Sequence, residues 1–454
     1  MQIGSPCLYL GSFNAEQFWR EADISSLPAI ADPQADKIVS IMDELQFIFC
    51  NSTDDVLITR LPMDSSYKDY LWELGFCFSY NQFPLIELTS GEEKRSPKGI
   101  CELLLNTEND DYYQDLLTPI SRLSPYSIEP FTKKLCQQYG LQCPDLDIEI
   151  VKKVNSKLFS HQLAKHLFAD TMGEIVYRAS DLDAVGQRFL QSSPFLIKDE
   201  FGVSGKGNLL ISSKQILQRI VTYISKQERE GKHTRFLLEP LLNKQTDFSC
   251  QFEIDATGET KILSIQKMQN SGFAFSGIQT AESSFQEFLD RSGYFEQVEA
   301  IAAQLHRVGY LGSICLDSML LQSRKIVPVV EINARKSMGS INHYIDRFLA
   351  QFSAQSSLMF FSLGLSHHVV FSEILQRMQQ AEILFLKDKP SGILPLASNT
   401  LNVNWQLHKA SPNPKRTYKG RLYGSVVSNN DEEKERILNT MDNIFADLDI
   451  QRLN

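Results

Sequence analysis

Val329-Val330-Glu331-Ile332-Asn333-Ala334-Arg335 is the stretch around which the chain is organised. Residues 326–330 are apolar and β-branched around Pro328, which predicts a strand. Side chains alternate along a strand. Glu331, Asn333 and Arg335 therefore share one face, while Val330, Ile332 and Ala334 point into the protein. A carboxylate, an amide oxygen and a guanidinium in one row suit a metal cation and an anion held together. Just upstream, residues 310–321 (YLGSICLDSMLL) read as a second strand, with Asp317 in its second half. A turn at Gln322-Ser323-Arg324 folds the two into an antiparallel hairpin, which can set Asp317 beside Glu331. Oxygens of Asp, Glu and Asn are the hard ligands that Mg²⁺ takes, together with phosphate oxygens and water. Taken alone, Glu-x-Asn-x-Arg could equally be the solvated face of an amphipathic edge strand.

A chain of 454 residues, 43% of them hydrophobic, is long enough for two or three domains. Its net charge of −10 argues against general nucleic-acid binding, since no basic excess is available for phosphates. The opening MQIGSPCLYL lacks the basic flank and apolar core of a signal peptide. No run of about 18 apolar residues predicts a membrane span. The most apolar region, 357–371, is broken by Gly364, His367 and His368. The eight cysteines stand singly with no CxxC pair, which predicts reduced thiols in a cytoplasmic protein.

The first 150 residues alternate short apolar strands with helical segments, the pattern of a small α/β layer domain. Residues 7–11, 47–50, 56–61 and 83–88 read as strands. Residues 35–45 have helical spacing at Ile38, Ile41, Met42 and Leu45, and 65–74 read as a serine-capped helix closed by Gly75. Residues 110–114 (DDYYQ) read as an acidic surface loop. Gly4 and Gly11 are too few and too far apart for a dinucleotide loop.

From 151 to about 365 the chemistry-bearing groups gather. Asn155-Ser156-Lys157 opens a helix with Leu158, Phe159, Leu163, His166 and Leu167 on one face. Asp181 suits the N-cap of another helix, ending near Leu190. Residues 194–199 (PFLIKD) read as a strand carrying Lys198. A glycine-rich loop follows at once: Phe201-Gly202-Val203-Ser204-Gly205-Lys206-Gly207-Asn208. Glycines let successive backbone N–H groups approach and cradle a phosphate, although the spacing is not a Walker A pattern. An ordinary hairpin would give such a loop too, and Lys198 could be a snorkelling surface lysine. A lysine closing an apolar strand just before the loop is also well placed for α- and β-phosphates. Residues 235–239 read as a strand ending in Glu239-Pro240-Leu241-Leu242, a connection whose backbone could pair with an adenine edge. Strands at 247–255 and 260–268 form a hairpin with Gln266 and Lys267 at its far end. A glycine-containing loop at 271–277 and a helix at 294–308 lead to the Asp317 strand.

This ordered series resembles an ATP-grasp domain over roughly 200 residues. The likeness rests on Lys157, Lys198, the Gly202–Gly207 loop, Glu239, Lys267, Asp317 and Glu331-x-Asn333-x-Arg335. It implies an α/β and α+β fold: a pre-ATP-grasp domain at 1–150, an ATP-grasp domain at 151–365 with a mobile lid near 170–235, and a C-terminal α+β region at 366–454. It implies that Lys157 and Lys198 hold the phosphates of ATP. The loop residues Gly202, Ser204, Gly205, Lys206 and Gly207 would close over them, with Glu239, Leu241 and Leu242 at the adenine. Asp317, Glu331 and Asn333 would bind Mg²⁺ or Mn²⁺, with two ions expected. Arg335 and Lys267 would be catalytic, Arg335 orienting the acyl substrate or its phosphate. Asp317 stands where many members carry Glu. Cys315 shares its face and could line the site or fill core space. Ser337, Ser340 and Asn342 could line an acyl pocket or serve as turn and cap residues.

In the C-terminal part, 372–381 and 430–448 read as helices, and 391–395, 403–407 and 421–427 as strands. The basic run at 415–421 (KRTYKGR) reads as a solvated hairpin tip or as a docking patch for an acidic carrier protein. The layout, with Lys336-Ser337-Met338-Gly339-Ser340, the 66–75 segment and the 419–424 tail, resembles a subgroup of biosynthetic ligases. That subgroup includes the pheganomycin-type peptide ligases and the butirosin-pathway enzyme that loads L-glutamate onto an acyl carrier protein. The resemblance implies an ADP-forming ligase acting on an amino acid, with a carrier-protein thiol or an amine as acceptor. A non-catalytic ATP-binding regulator with the same fold is the alternative of a different class.

Overall fold

Among the described residues, short β-branched and aromatic runs between turns build three sheets. The computed structural model of the chain describes residues 5–87, 98–169, 171–202, 207–271, 274–410 and 417–453. The first sheet is parallel. Its β1 (Cys7–Leu10) lies between β2 (Val56–Leu57) and β4 (Arg122–Pro125), with β3 (Ser79–Tyr80) beyond β2. All of β1 is buried, as a central parallel strand covered on both faces must be.

The second sheet comprises β5 (Glu174–Val176), β6 (Phe195–Asp199), β7 (Asn208–Ile211) and β8 (Phe236–Pro240), in the antiparallel order β5-β8-β6-β7. The helices Ala179–Leu190 and Lys214–Arg229 pack on it through Leu182, Leu217, Ile220 and Ile224.

The third sheet holds β9 (Lys244–Ile254), β10 (Thr260–Ser271), β11 (Ala274–Thr280), β12 (Gly312–Leu321), β13 (Ile326–Asn333), β14 (Ser356–Leu365), β15 (Gly392–Pro395), β16 (Tyr418–Val427) and β17 (Ile450–Arg452). The order is β13-β12-β9-β10-β11-β14-β16-β15, and β17 pairs with β14. Its pleat separates two faces. Phe248, Cys250, Phe252, Leu316 and Ile332 enter a core with the helices Ile148–Asn155, Lys157–Leu167 and Tyr294–Arg307. Ser249, Asp317, Glu331 and Asn333 point the other way and line a cavity.

Several sequence expectations are corrected. Residues 47–50 are not a strand but the end of a 3₁₀ helix, Met42–Phe49, whose eight residues are all buried. Core surrounds this segment on every side, and a short helix meets that demand as well as a strand does. Residues 83–87 form no strand, because Asn81 donates to the carbonyls of Thr59 and Phe83 and turns the chain there. Residues 110–114 belong to the helix Asp110–Leu117, where Asp110 and Asp111 suit the positive N-terminal end and Tyr113 and Leu117 bury one face. The 65–73 helix is capped by Asp64 rather than by a serine, and Asp181 sits in the first turn of its helix, not at the cap. The expected loop at 271–277 gives way to β11, which pairs back onto β10. Residues 399–402 and 405–409 are short helices, not a strand. Helical spacing lets Trp405 and His408 reach each other and Tyr418 in one aromatic group. Among the described residues no helix is long and apolar enough to cross a membrane.

The N- and C-terminal parts are locked together at Glu44. Its fully buried carboxylate accepts from Ser398 N and Oγ (both 2.7 Å), Asn399 N (2.8 Å) and Asn399 Nδ2 (3.0 Å). Burial pushes its carboxyl up to about 7, against the pull of those donors. Glu44→Ala leaves the donors buried and unmet. It should cost about 3 kcal/mol, read as a lower denaturant midpoint. A wild-type midpoint would show that this joint contributes nothing.

Candidate active site

The β12–β13 register sets Asp317 directly opposite Glu331. Asn333 Nδ2 donates to Asp317 Oδ2 (3.1 Å), and the Cys315 thiol donates to Oδ1 (3.4 Å). Burial, then the neighbouring Glu331 charge, pushes the Asp317 carboxyl up to about 7. Ser156 caps the helix that begins at Lys157 and so fixes that lysine's direction. Lys157 Nζ reaches Glu331 Oε1 and the Gly202 carbonyl, both at 2.6 Å. Lys198, one residue from the end of β6, pairs with Glu239 on β8. Burial pulls Lys198 down, but Glu239, Glu331 and Asp317 outweigh it, and its pKa is raised. Two lysines and three carboxylates from two sheets and a helix start therefore form one charged cluster.

Gly207 takes φ +92°, and its carbonyl accepts from Asp199 N–H at 2.7 Å. A Cβ there would lie 3.1 Å from Asp199 Cβ and 3.3 Å from Gly202 Cα, so the close approach of the loop's two ends requires glycine. Ser204, Gly205 and Lys206 lie outside the described residues. Leu241 and Leu242 stand on the cavity wall, with Leu241 N–H bonded to the Pro194 carbonyl at 3.0 Å.

Arg335 follows the strand end and is held firmly. Its Nε donates to Glu16 Oε1 (2.8 Å), and its Nη2 lies 2.6 Å from the same oxygen. It also donates to Asn333 Oδ1 and to the Lys336 carbonyl, both at 3.1 Å. Glu16 sits on the short helix Glu16–Trp19, 319 residues away in sequence, and no local signal marks it. Lys267 is not brought to the cluster. It lies opposite Phe248, on the face turned away from the cavity, where it pairs with Glu282 at 2.6 Å and covers the Phe285 ring. Ser337 and Ser340 form the capping box of the helix Met338–Leu349, and Asn342 is buried against Gln266 and Asp346. Cys315 lines the cavity, and burial pushes its thiol up to about 12, so it stays protonated.

The cavity, about 2020 Å³, runs between the second sheet, the open face of the third, and the N-terminal helices. It is large enough for a nucleotide and a second substrate. A divalent cation fits the cluster's chemistry. Two carboxylates face each other at one register position, and burial, with the Glu331 charge beside it, raises Asp317. Among the described residues no group of three or more His, Cys, Asp or Glu could hold a metal ion alone. Asp317, Glu331 and Asn333 would need phosphate oxygens and water to complete a shell.

No family model matches the chain. An "acyl-carrier protein–L-glutamate ligase" of butirosin from Niallia circulans is 24% identical over 329 residues, 68% of this chain and 67% of the relative. The structure of N5-carboxyaminoimidazole synthetase from Staphylococcus aureus, complexed with ADP, matches at TM-score 0.51 and 13% identity, over 97% of this chain and 98% of that one. The chain has the ATP-grasp fold. The biotin carboxylase domain of Hydrogenobacter thermophilus 2-oxoglutarate carboxylase, solved with MgADP, ADP and bicarbonate, matches equally, with TM-score 0.51, 12% identity, and 94% and 87% of the two chains. The charged cluster lies between the β5–β8 sheet and the β9–β13 end of the large sheet.

Proposed function

We propose that the protein is an ADP-forming carboxylate ligase. It activates an amino-acid carboxylate with ATP as an acylphosphate and passes the acyl group to a carrier-protein thiol or an amine. The observation that carries this reading is the meeting of Lys157 and Lys198 with Asp317, Glu331 and Asn333 on one cavity wall. The lysines take phosphate oxygens, exchanging their present partners for a stronger anion. The acidic pair with Asn333 would hold Mg²⁺ or Mn²⁺, two ions being expected, and the metal when bound would spread charge from the γ-phosphoryl group. The substrate carboxylate oxygen attacks the γ-phosphorus and ADP leaves; the nucleophile then attacks the acyl carbon and phosphate leaves. Arg335 orients the reacting anion, with Glu16 setting the angle of its guanidinium.

The segments 1–150, 151–365 and 366–454 act as the three functional parts. The jaw near 170–235 closes over the nucleotide and keeps water from the acylphosphate. The N. circulans relative is named for L-glutamate and an acyl carrier protein, and we take the same pair as the best reading here, in a cytoplasmic setting. The accepting thiol belongs to the carrier, since Cys315 is held protonated. Transfer to an amine, forming a peptide-type bond, is the runner-up.

The test is ATP consumption over a panel of amino acids with hydroxylamine as trap. ADP plus a hydroxamate from one acid supports the reading and names the donor. AMP overturns the acylphosphate route, and tight ATP binding without turnover points to a regulator.

A further inference from the structure

Six cations on the cavity wall come with counter-charges. Arg20 pairs with Asp199, Arg60 with Asp43, Lys98 with Glu102, Lys198 with Glu239, Lys244 with Asp247, and Arg335 with Glu16. Arg421 lines the same cavity and makes no ion pair among the described residues. It was expected within an exposed basic run. The described part of that run is built in differently: Tyr418 is buried, Lys419 pairs with Asp32 at 2.6 Å, and Arg421 turns inward. Along β16 the pleat sends Leu422 to the core and leaves Arg421 and Tyr423 on the cavity side.

Among the described residues the guanidinium is held by neutral groups alone. It lies over the Phe360 ring at 4.2 Å, and Nη1 donates to Tyr423 Oη at 2.7 Å. Nε is buried without a partner. Tyr423 Oη in turn donates to Met42 Sδ at 3.0 Å, which fixes its lone pair toward the arginine. A cation stacked on a ring and oriented by a phenol, with no carboxylate, is a charge prepared for an anion from outside. Tyr126 connects this point to the reacting end. Its ring stacks on Phe13 at 4.0 Å, and its hydroxyl lies within electrostatic reach of both Arg335 and Tyr423. Arg335, Tyr126, Tyr423 and Arg421 all line the same cavity.

We propose that Arg421 binds the second carboxylate of a dicarboxylic amino acid whose other carboxylate reacts at the Arg335 end. This rests on the carboxylate-ligase reading and deepens it: Arg421 is the residue that selects an acidic side chain. Its planar fork can meet a carboxylate with two parallel bonds while Phe360 supports the opposite face. A phosphate group offers similar chemistry, and the test includes it.

The test is calorimetric titration of L-glutamate, L-glutamine and inorganic phosphate into the full chain with ADP and Mg²⁺. Wild type and the variants Arg421→Gln and Arg421→Lys are compared, and unfolding midpoints confirm that each is folded. Wild type should prefer glutamate over glutamine. Arg421→Gln should weaken glutamate by about 30-fold or more and leave glutamine within about twofold. Arg421→Lys should recover part of the loss, keeping charge without the fork. Equal affinity of wild type for the two amino acids, equal weakening of both by Arg421→Gln, or an effect confined to phosphate overturns the proposal. ADP release by wild type, measured beside it, separates the two readings. Selectivity that depends on Arg421 without ADP release sinks the ligase reading and keeps the subsite. ADP release with selectivity indifferent to Arg421 does the reverse.

Discussion

Glu331→Gln should lower ADP release by about 10²-fold or more, while metal-free nucleotide binding stays close to wild type. The substitution keeps shape and one oxygen, so the Lys157 ammonium, now 2.6 Å from Oε1, still has an acceptor besides the Gly202 carbonyl. What is lost is one of two facing carboxylates. Asp317 alone then confronts a divalent cation, and the cost of its ionisation falls with its neighbour's charge removed. Asp317 would therefore ionise more readily in the variant, yet a single carboxylate gives a weaker and less directed metal site. The effect should fall on the phosphoryl-transfer step, where charge on the γ-phosphoryl must be spread, and far less on binding of the adenine and ribose. Coupled ADP release and fluorescence titration of nucleotide with and without Mg²⁺ separate the two. Turnover at the wild-type rate would remove Glu331 from the metal site and with it the assignment of the whole hairpin.

That hairpin was legible because its information is local. Residues 310–321 and 326–333 are alternating strands joined by a short turn, and a two-residue period fixes which side chains share a face. Lys157 and Lys198 were legible for the same reason, one beside a serine cap and one near the close of an apolar strand. Lys267 shows the limit. It satisfied the order of motifs, but a single step of the pleat decides between the cavity and the helical side, and β10 carries a register irregularity at Ile262/Ser264 that sequence does not reveal. Glu16 and Arg421 were beyond reach for another reason. Each acquires its role from a partner hundreds of residues away or on a neighbouring strand, so no spacing in the chain announces it. The 3₁₀ segment Met42–Phe49 was misread because burial on all sides erases both periodicities.

Arg335→Gln should be the most destabilising single change in the cavity, by about 3–5 kcal/mol, and should also abolish most turnover. The two effects have different origins and can be separated. In the folded chain the Arg335 and Glu16 side chains are 10% and 7% exposed, and the guanidinium spends Nε and Nη2 on one carboxylate oxygen. The other oxygen, Oε2, is already buried without a hydrogen-bond partner. Removing the arginine leaves a full negative charge in that position with nothing to balance it. Adding Glu16→Gln to Arg335→Gln removes the charge and lets two amides bond across the same gap, so urea unfolding should recover most of the lost stability. Turnover should not return with it, because a neutral amide cannot orient an anionic acyl group or its phosphate. Glu16→Gln alone should keep the cation, lose a modest amount of stability, and retain far more activity than either variant lacking the arginine. Four proteins, each measured for unfolding midpoint and ADP release, close the cycle. If the double variant regained turnover together with stability, Arg335 would be a structural partner of Glu16 and nothing more, and the anion would have to be held by the lysines alone.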